Sequence, residues 1–398
     1  MKIINELLSD VSVLCKNGPR FVDTTGDASA AFWIAQRLKE CGLVVDIQQF
    51  QLMGWKLNTN PELHIKLQGE KWHEVECLPF VYSGATSKDG ISGILKYVGK
   101  HQRGNMKKFR IFERENFLWN KYAIINSNGD YLAQIISRDY PENAQVAAWG
   151  VLELPFTFPT VMVNGQTGKL FESIIKKNTS VYLKVDTTFN PSALSFNLVG
   201  SEPSEEVAKL HDTIIVTAHY DSQYNTVGAV DNATGVACLL ALAKRWKKIK
   251  SGRQLRFIAF GAEEIGLIGA KYYLNSLKEK GELNRIAAIL NLDMLGCNQP
   301  NWVHVSDDDM VVSVVRTSLQ ELKIDQKYSG YELVCPPWPT GDQDPFYEQN
   351  IPTINLTWKG YLYPHTHRPD DNIDKIDHTV LEDSFYLAEK VLCLLSSI

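Results

Sequence analysis

Several side chains able to hold a divalent ion sit just beyond the ends of apolar runs in this 398-residue chain. His219 and Asp221 follow TIIVTA (213–218), Glu263 and Glu264 follow RFIAFGA (256–262), and Asp293 follows AILNL (288–292). Asp231 opens the run DNATGVACLLALAKRWKK (231–248), and His367 lies in the late segment YPHTHRPDDN (363–372). Imidazole nitrogen and carboxylate oxygen both bind zinc at about 2.0–2.2 Å. Carboxylates that converged without a cation would repel one another and take up protons. Two divalent ions sharing a carboxylate and a water, roughly 3.5–4 Å apart, would remove that repulsion and create a hydrolytic centre.

Each piece alone has a plainer reading. His219 and Asp221 suit a hydrogen-bonded core pair, and Asp231 suits a helix cap. Glu263 and Glu264 suit the first turn of a helix, where the dipole favours negative charge, and Asp293 a buried, hydrogen-bonded carboxylate. Their joint order and placement favours the metal reading. In open α/β sheets, ligands bind outside the carboxyl ends of the strands, so residues far apart in sequence meet there.

The elements needed to do this are legible. The segments 211–219, 254–264, 286–295 and 351–358 read as strands. The segments 231–248, 265–281 and 378–398 read as helices with apolar positions three or four apart. Strand alternating with helix predicts an α/β fold, a mostly parallel mixed sheet sandwiched by helices. Near the start, 27–42 reads as a helix capped by Asp27 with Gly42 just past its end, and 43–52 as a strand. The middle differs. ISGILKYVGK (91–100), KYAIINSNGDYLAQIIS (121–137) and AQVAAWGVLEL (144–154) are β-type runs between polar turns, and 158–186 reads strand, helix, strand. The predicted organisation is a discontinuous catalytic domain, 1–79 with 189–398, carrying a β-rich insert at 80–188.

Bulk properties narrow the field. A formal net charge of −5 gives no electrostatic reason to expect nucleic acid, and no run approaches the roughly 20 apolar residues of a membrane span. The seven cysteines are scattered, odd in number and never spaced C-x-x-C. With no secretory signal visible, that usage predicts reduced thiols and a cytoplasmic setting.

The strings AHYDS (218–222), GAVDNATGVA (228–237), FGAEEIGLIGA (260–270), NLDM (291–294) and HRPDDN (367–372), in this order, resemble the M28 zinc aminopeptidases. The resemblance covers 195–398 well and 1–50 loosely. It implies a zinc-exopeptidase fold of the phosphorylase/hydrolase-like kind, a peptide substrate and two zinc ions. Asp231 would bridge them, His219 and Asp293 would complete one site, and Glu264 and His367 the other. Glu263 would be the general base towards the bridging water, and Asp221 would hold the metal-binding tautomer of His219. HRPDDN matches the family from His367, while HTHRPD also fits from His365. The insert resembles a protease-associated domain, with FPTVMVNGQTGKLFESIIKK (158–177) as its best local match.

The segment TGDQDPFYEQNIP (340–352) departs from the family pattern. Gln343 stands for a histidine and Asn350 for a glycine, which puts substrate contacts near that loop in doubt. Trp338, Trp358, Tyr361 and Tyr363 are candidates for an apolar specificity pocket, or for core and rim aromatics. Readings still open are a carboxypeptidase, a glutaminyl cyclase-like single-zinc acyltransferase, and a non-catalytic binding protein on a peptidase scaffold.

Overall fold

A computed structural model describes residues 2–67, 70–101, 119–138, 159–203, 212–248, 252–297, 301–328, 332–337, 341–358 and 363–398. The chain divides into two compact units, Met1–Leu52 with Ser192–Ile398, and Met53–Pro191.

In the first unit the strands lie in the order Glu332–Val334, Asn301–Val305, Thr353–Trp358, Ile286–Asp293, Thr213–His219, Gln254–Phe260 and the last residues of Ser180–Ser201. The middle four, from Thr353–Trp358 to Gln254–Phe260, are mutually parallel. Antiparallel strands flank them on both sides. Every residue of Thr213–His219 and of Ile286–Asp293 is buried, as a parallel strand covered on both faces requires. That is why both read as continuous apolar runs without alternation. Register places Phe260 opposite His219 and Asp293 opposite Thr357, so the four parallel strands finish at one level.

Helices Ile3–Cys15, Thr25–Glu40, Thr234–Arg245, Asp309–Glu321 and His378–Leu395 contribute to one core cluster, and Ile268–Glu279 to another. Thr234–Arg245 buries all of its residues from Thr234 to Ala243. Gly235 makes this approach feasible, because a Cβ there would overlap the Leu292 carbonyl and the Asn232 side chain. The early helix begins two residues before the predicted Asp27. Thr24 is its cap, accepting from the Asp27 N–H at 3.2 Å. The helix after the two glutamates starts at Ile268 rather than 265, leaving Glu263 and Glu264 in a turn.

The second unit is a β-rich layer. Strands Ile91–His101, Trp119–Ile125 and Tyr131–Arg138 pair antiparallel in sequence order, and Thr160–Asn164 adds parallel to the last of them. The polar turn SNGD closes the hairpin, with Asn126 Oδ1 accepting from the N–H groups of Asn128 and Asp130 at 2.9 Å. Asn164 caps helix Gly165–Ile174, whose Phe171 is wholly buried against Tyr122. The run 144–154 lies outside the described residues. Strands Val44–Lys66 and Ser180–Ser201 run past the expected ends at 52 and 186, with Pro61 and Pro191 inside them.

Candidate metal centre

Asp231 lies at the middle of the site. Its Oδ1 is 3.4 Å from His219 Nε2, which is also 3.4 Å from Asp293 Oδ1. Its Oδ2 is 3.3 Å from His367 Nε2, which is 3.0 Å from Glu264 Oε2. The two oxygens of one carboxylate thus each face one imidazole and one further carboxylate. Five residues from five separate segments meet here, all of them buried.

The local chain explains each placement. His219 and Asp293 are the last residues of parallel strands. Asp231 belongs to the tight turn Ala229–Ala233 before helix Thr234–Arg245, and so is not a simple cap. Asn232 joins that turn to the neighbouring strand end: its Nδ2 donates to Leu292 O at 2.9 Å and its Oδ1 accepts from the N–H groups of Gly235 and Met294. Ala262, Met294 and His367 all have left-handed backbone, with φ of 60°, 54° and 57°. Such conformations in non-glycine residues store strain and cluster at working sites. Here they lie beside Glu263, beside Asp293 and at His367 itself.

Asp221 is fully buried and accepts from the N–H groups of Glu263 (3.1 Å) and Glu264 (3.2 Å). Its Oδ1 is 3.5 Å from His219 Nδ1. Gln223 donates to Glu264 Oε2 at 3.1 Å. Asp371 accepts from the N–H groups of Val230 and Asp231 at 3.0 and 3.1 Å, tying the His367 segment to the Asp231 turn. Sequence reasoning missed Asn232 and Gln223 as supports. Asn232 stands inside the DNATG string, so the string was the available signal; nothing in the sequence singled out Gln223.

Of the two late histidines, His367 faces Asp231 and Glu264, while His365 Nδ1 is 2.7 Å from Asp370 Oδ2. Gln343 is buried within a polar ladder. Its side-chain oxygen accepts from Asn291 Nδ2 at 3.1 Å, and Asn291 in turn accepts from Thr217 at 2.7 Å. Asn350 has φ 60°, a left-handed conformation that asparagine tolerates better than most residues, so it keeps a backbone suited to glycine. Tyr363 is a core residue whose hydroxyl donates to Asp371. Trp338 and Tyr361 lie outside the described residues, and the Trp358 side chain is likewise not described.

The electrostatics are those of a cation site. Burial pushes the Glu263, Glu264 and Asp293 carboxyls above their ordinary range, and neighbouring carboxylates add to the shift. Burial also lifts Asp342 to about 8, with Asp221 and Asp293 contributing. Burial alone would lower His367, but Glu264 and Asp231 raise it to about 10. Several buried atoms have no hydrogen-bond partner: Glu264 Oε1, Asp293 Oδ1 and both oxygens of Asp342. Donors bound to one zinc at about 2.0–2.1 Å in tetrahedral geometry lie roughly 3.3–3.4 Å apart. Charge-assisted hydrogen bonds of the N–H···O kind are shorter, about 2.7–2.9 Å. The donor set, its spacing and its orphaned oxygens fit metal ions, and ligand atoms of His219, Asp231 and Glu264 all lie within 4.8 Å of one another.

The chain is similar to known peptidases in sequence and in fold. Aminopeptidase YwaD of Bacillus subtilis is 26% identical over 385 residues, covering 92% of this chain and 79% of that protein. The structure of BSAP, a zinc aminopeptidase from Bacillus subtilis, superposes with a TM-score of 0.70 at 24% identity, covering 98% of this chain and 94% of that one. A peptidase M28 precursor from Shewanella amazonensis gives a TM-score of 0.74 at 17% identity, covering 100% and 93%. These two structures establish a shared α/β fold over essentially the whole length. No helix among the described residues is long and apolar enough to cross a membrane. Residues 197–392 match the model for peptidase family M28, which assigns that segment of the chain to the family.

Proposed function

We propose that this chain is a zinc-dependent aminopeptidase that removes N-terminal residues from peptides at a centre of two metal ions. The observation that carries the reading is the division of the Asp231 carboxylate, with one oxygen towards His219 and Asp293 and the other towards His367 and Glu264. The aminopeptidase relatives and the family match support the peptide substrate and zinc.

In this reading His219, Asp231 and Asp293 hold one ion, and Asp231, Glu264 and His367 the other. When bound, the ions lower the pKa of water towards neutrality and polarise the scissile carbonyl. Glu263 is half-buried and adjoins Glu264 in the chain, and in this reading it would ligate neither ion. Its carboxylate takes a proton from the attacking water and passes it to the departing amine. Adjacent residues cannot easily aim the same way, so Glu264 binds while Glu263 faces the water. Asp221, whose Oδ1 lies 3.5 Å from His219 Nδ1, would hold the proton there and leave Nε2 for the metal. The predicted insert, 80–188, lies within the Met53–Pro191 unit, which carries none of these residues, and we read that insert as a domain of the protease-associated type.

The test is zinc content per chain together with hydrolysis of aminoacyl-p-nitroanilides with and without chelator. Two zinc ions and chelator-sensitive release support the reading. One zinc without release would replace it with a cyclase-like or carboxypeptidase activity, and no zinc with a binding scaffold.

A further inference from the structure

Arg20 lies in the short link between helices Ile3–Cys15 and Thr25–Glu40, outside the family-matched segment 197–392. Its side chain is 0% exposed. A buried guanidinium is expensive to desolvate and is ordinarily paired with a carboxylate. Arg20 directs its donors at main-chain carbonyls, and its charge also acts on the buried Asp371 carboxyl. Nε donates to Tyr220 O at 2.6 Å, Nη1 to Val227 O, and Nη2 to Gly228 O at 3.0 Å. Tyr220 stands between His219 and Asp221, while Val227 and Gly228 lead into the Asp231 turn.

A trans peptide is planar, with its C=O and the following N–H on opposite edges. Pinning both edges therefore fixes the plane. Val227 O accepts from Arg20, and the other edge of that peptide, Gly228 N–H, donates to Thr226 Oγ1 at 3.0 Å. Gly228 O accepts from Arg20, and Ala229 N–H donates to Asp371 O at 3.3 Å. The next two N–H groups, of Val230 and Asp231, donate to the Asp371 carboxylate. The turn is thus held between Arg20 on one side and Asp371 on the other. The Arg20 segment is itself anchored: its N–H donates to Ser222 Oγ at 3.0 Å, and Gly26 lies so near that a Cβ would overlap the Pro19 carbonyl.

We infer that Arg20 is a positioning residue of the metal centre: by fixing the peptide planes of 227–229 it sets the direction in which Asp231 presents its two oxygens. This rests on the two-metal reading above. Lysine cannot replace it, since one ammonium on a flexible stem cannot reach three divergent carbonyls in the geometry of a planar fork.

The experiment uses the full chain with Arg20→Lys, Arg20→Gln and Arg20→Ala. Zinc affinity is measured by competition with a chromophoric chelator, the visible spectrum is recorded with cobalt substituted, and kcat and KM are followed on an aminoacyl-p-nitroanilide. Expected are a zinc affinity about 10–100-fold weaker, as for the loss of other groups that orient ligands, an altered cobalt spectrum, and a lower kcat with KM little changed. Millimolar guanidinium should restore part of the kcat of Arg20→Ala. Folded variants with wild-type zinc affinity and kcat would overturn the inference. So would failure of all three variants to fold, which would make Arg20 a residue of the fold alone. Wild-type protein that neither binds zinc nor hydrolyses the substrate would instead defeat the aminopeptidase reading.

Discussion

Asp221 accepts a hydrogen bond from the backbone N–H of Glu263 at 3.1 Å, so a carboxylate at the end of one strand orients the turn that follows the next. The same carboxylate faces His219 Nδ1 and accepts from Glu264 N–H. It therefore links one side of the metal centre to the other. Asp221→Asn should lower kcat or zinc affinity by about 10–100-fold. Steady-state kinetics with parallel zinc titration would check this, and unchanged values for both would remove Asp221 from the site.

Glu263→Gln removes a base but no ligand. Turnover should fall by about 10²–10⁴-fold, the range of general acid–base contributions, while zinc content stays at the wild-type level. Elemental analysis beside single-turnover kinetics gives both numbers. Near-normal turnover would show that another group moves the proton.

Asp231→Ala removes the one carboxylate that faces both imidazoles. Both ions should be held weakly, and the purified protein should carry less zinc than Glu263→Gln under the same dialysis. Equal zinc content in the two variants would exclude a shared ligand at this position.

Metal removal should make stability strongly pH-dependent. In the metal-free protein Glu263, Glu264, Asp293 and Asp342 have folded-state pKa values raised above their unfolded ones, Asp342 to about 8. Folding with these groups is favoured when they are protonated, and that advantage is lost as pH rises through the raised values. His367, raised to about 10, acts in the same direction, its stabilisation being complete below about pH 6.5 and lost as pH rises towards 10. The chelated protein should therefore melt at a lower temperature at pH 8.5 than at pH 5.5, by more than the zinc-loaded protein does. Melting curves at the two pH values, with zinc and with chelator, test it, and equal slopes would argue against metal as the charge-balancing partner.

Gly235→Ala would press a methyl group onto the Leu292 carbonyl, one residue before Asp293. Overpacking of this kind costs about 1–3 kcal/mol, and chemical denaturation should register it. A neutral result would mean that helix Thr234–Arg245 can move away from the strand.

The sequence by itself determined the parallel core and the candidate ligands. Strands buried on both faces must be continuously apolar, and a metal centre at their ends needs polar residues at the point where each run stops. His219, Glu264 and Asp293 are visible for that reason. Asp231 and His367 were legible because they sit in strings, DNATG and HRPDD, that resemble a family. What the sequence left open was decided by contacts between distant segments. Whether His365 or His367 turns inwards depends on a left-handed backbone at His367 and a separate carboxylate, Asp370, that takes His365. The part played by Arg20 is invisible in sequence, since it bonds to carbonyls, and every residue carries one. Its acceptors lie 200 or more residues away along the chain and reach it only once the sheet and its helices have packed.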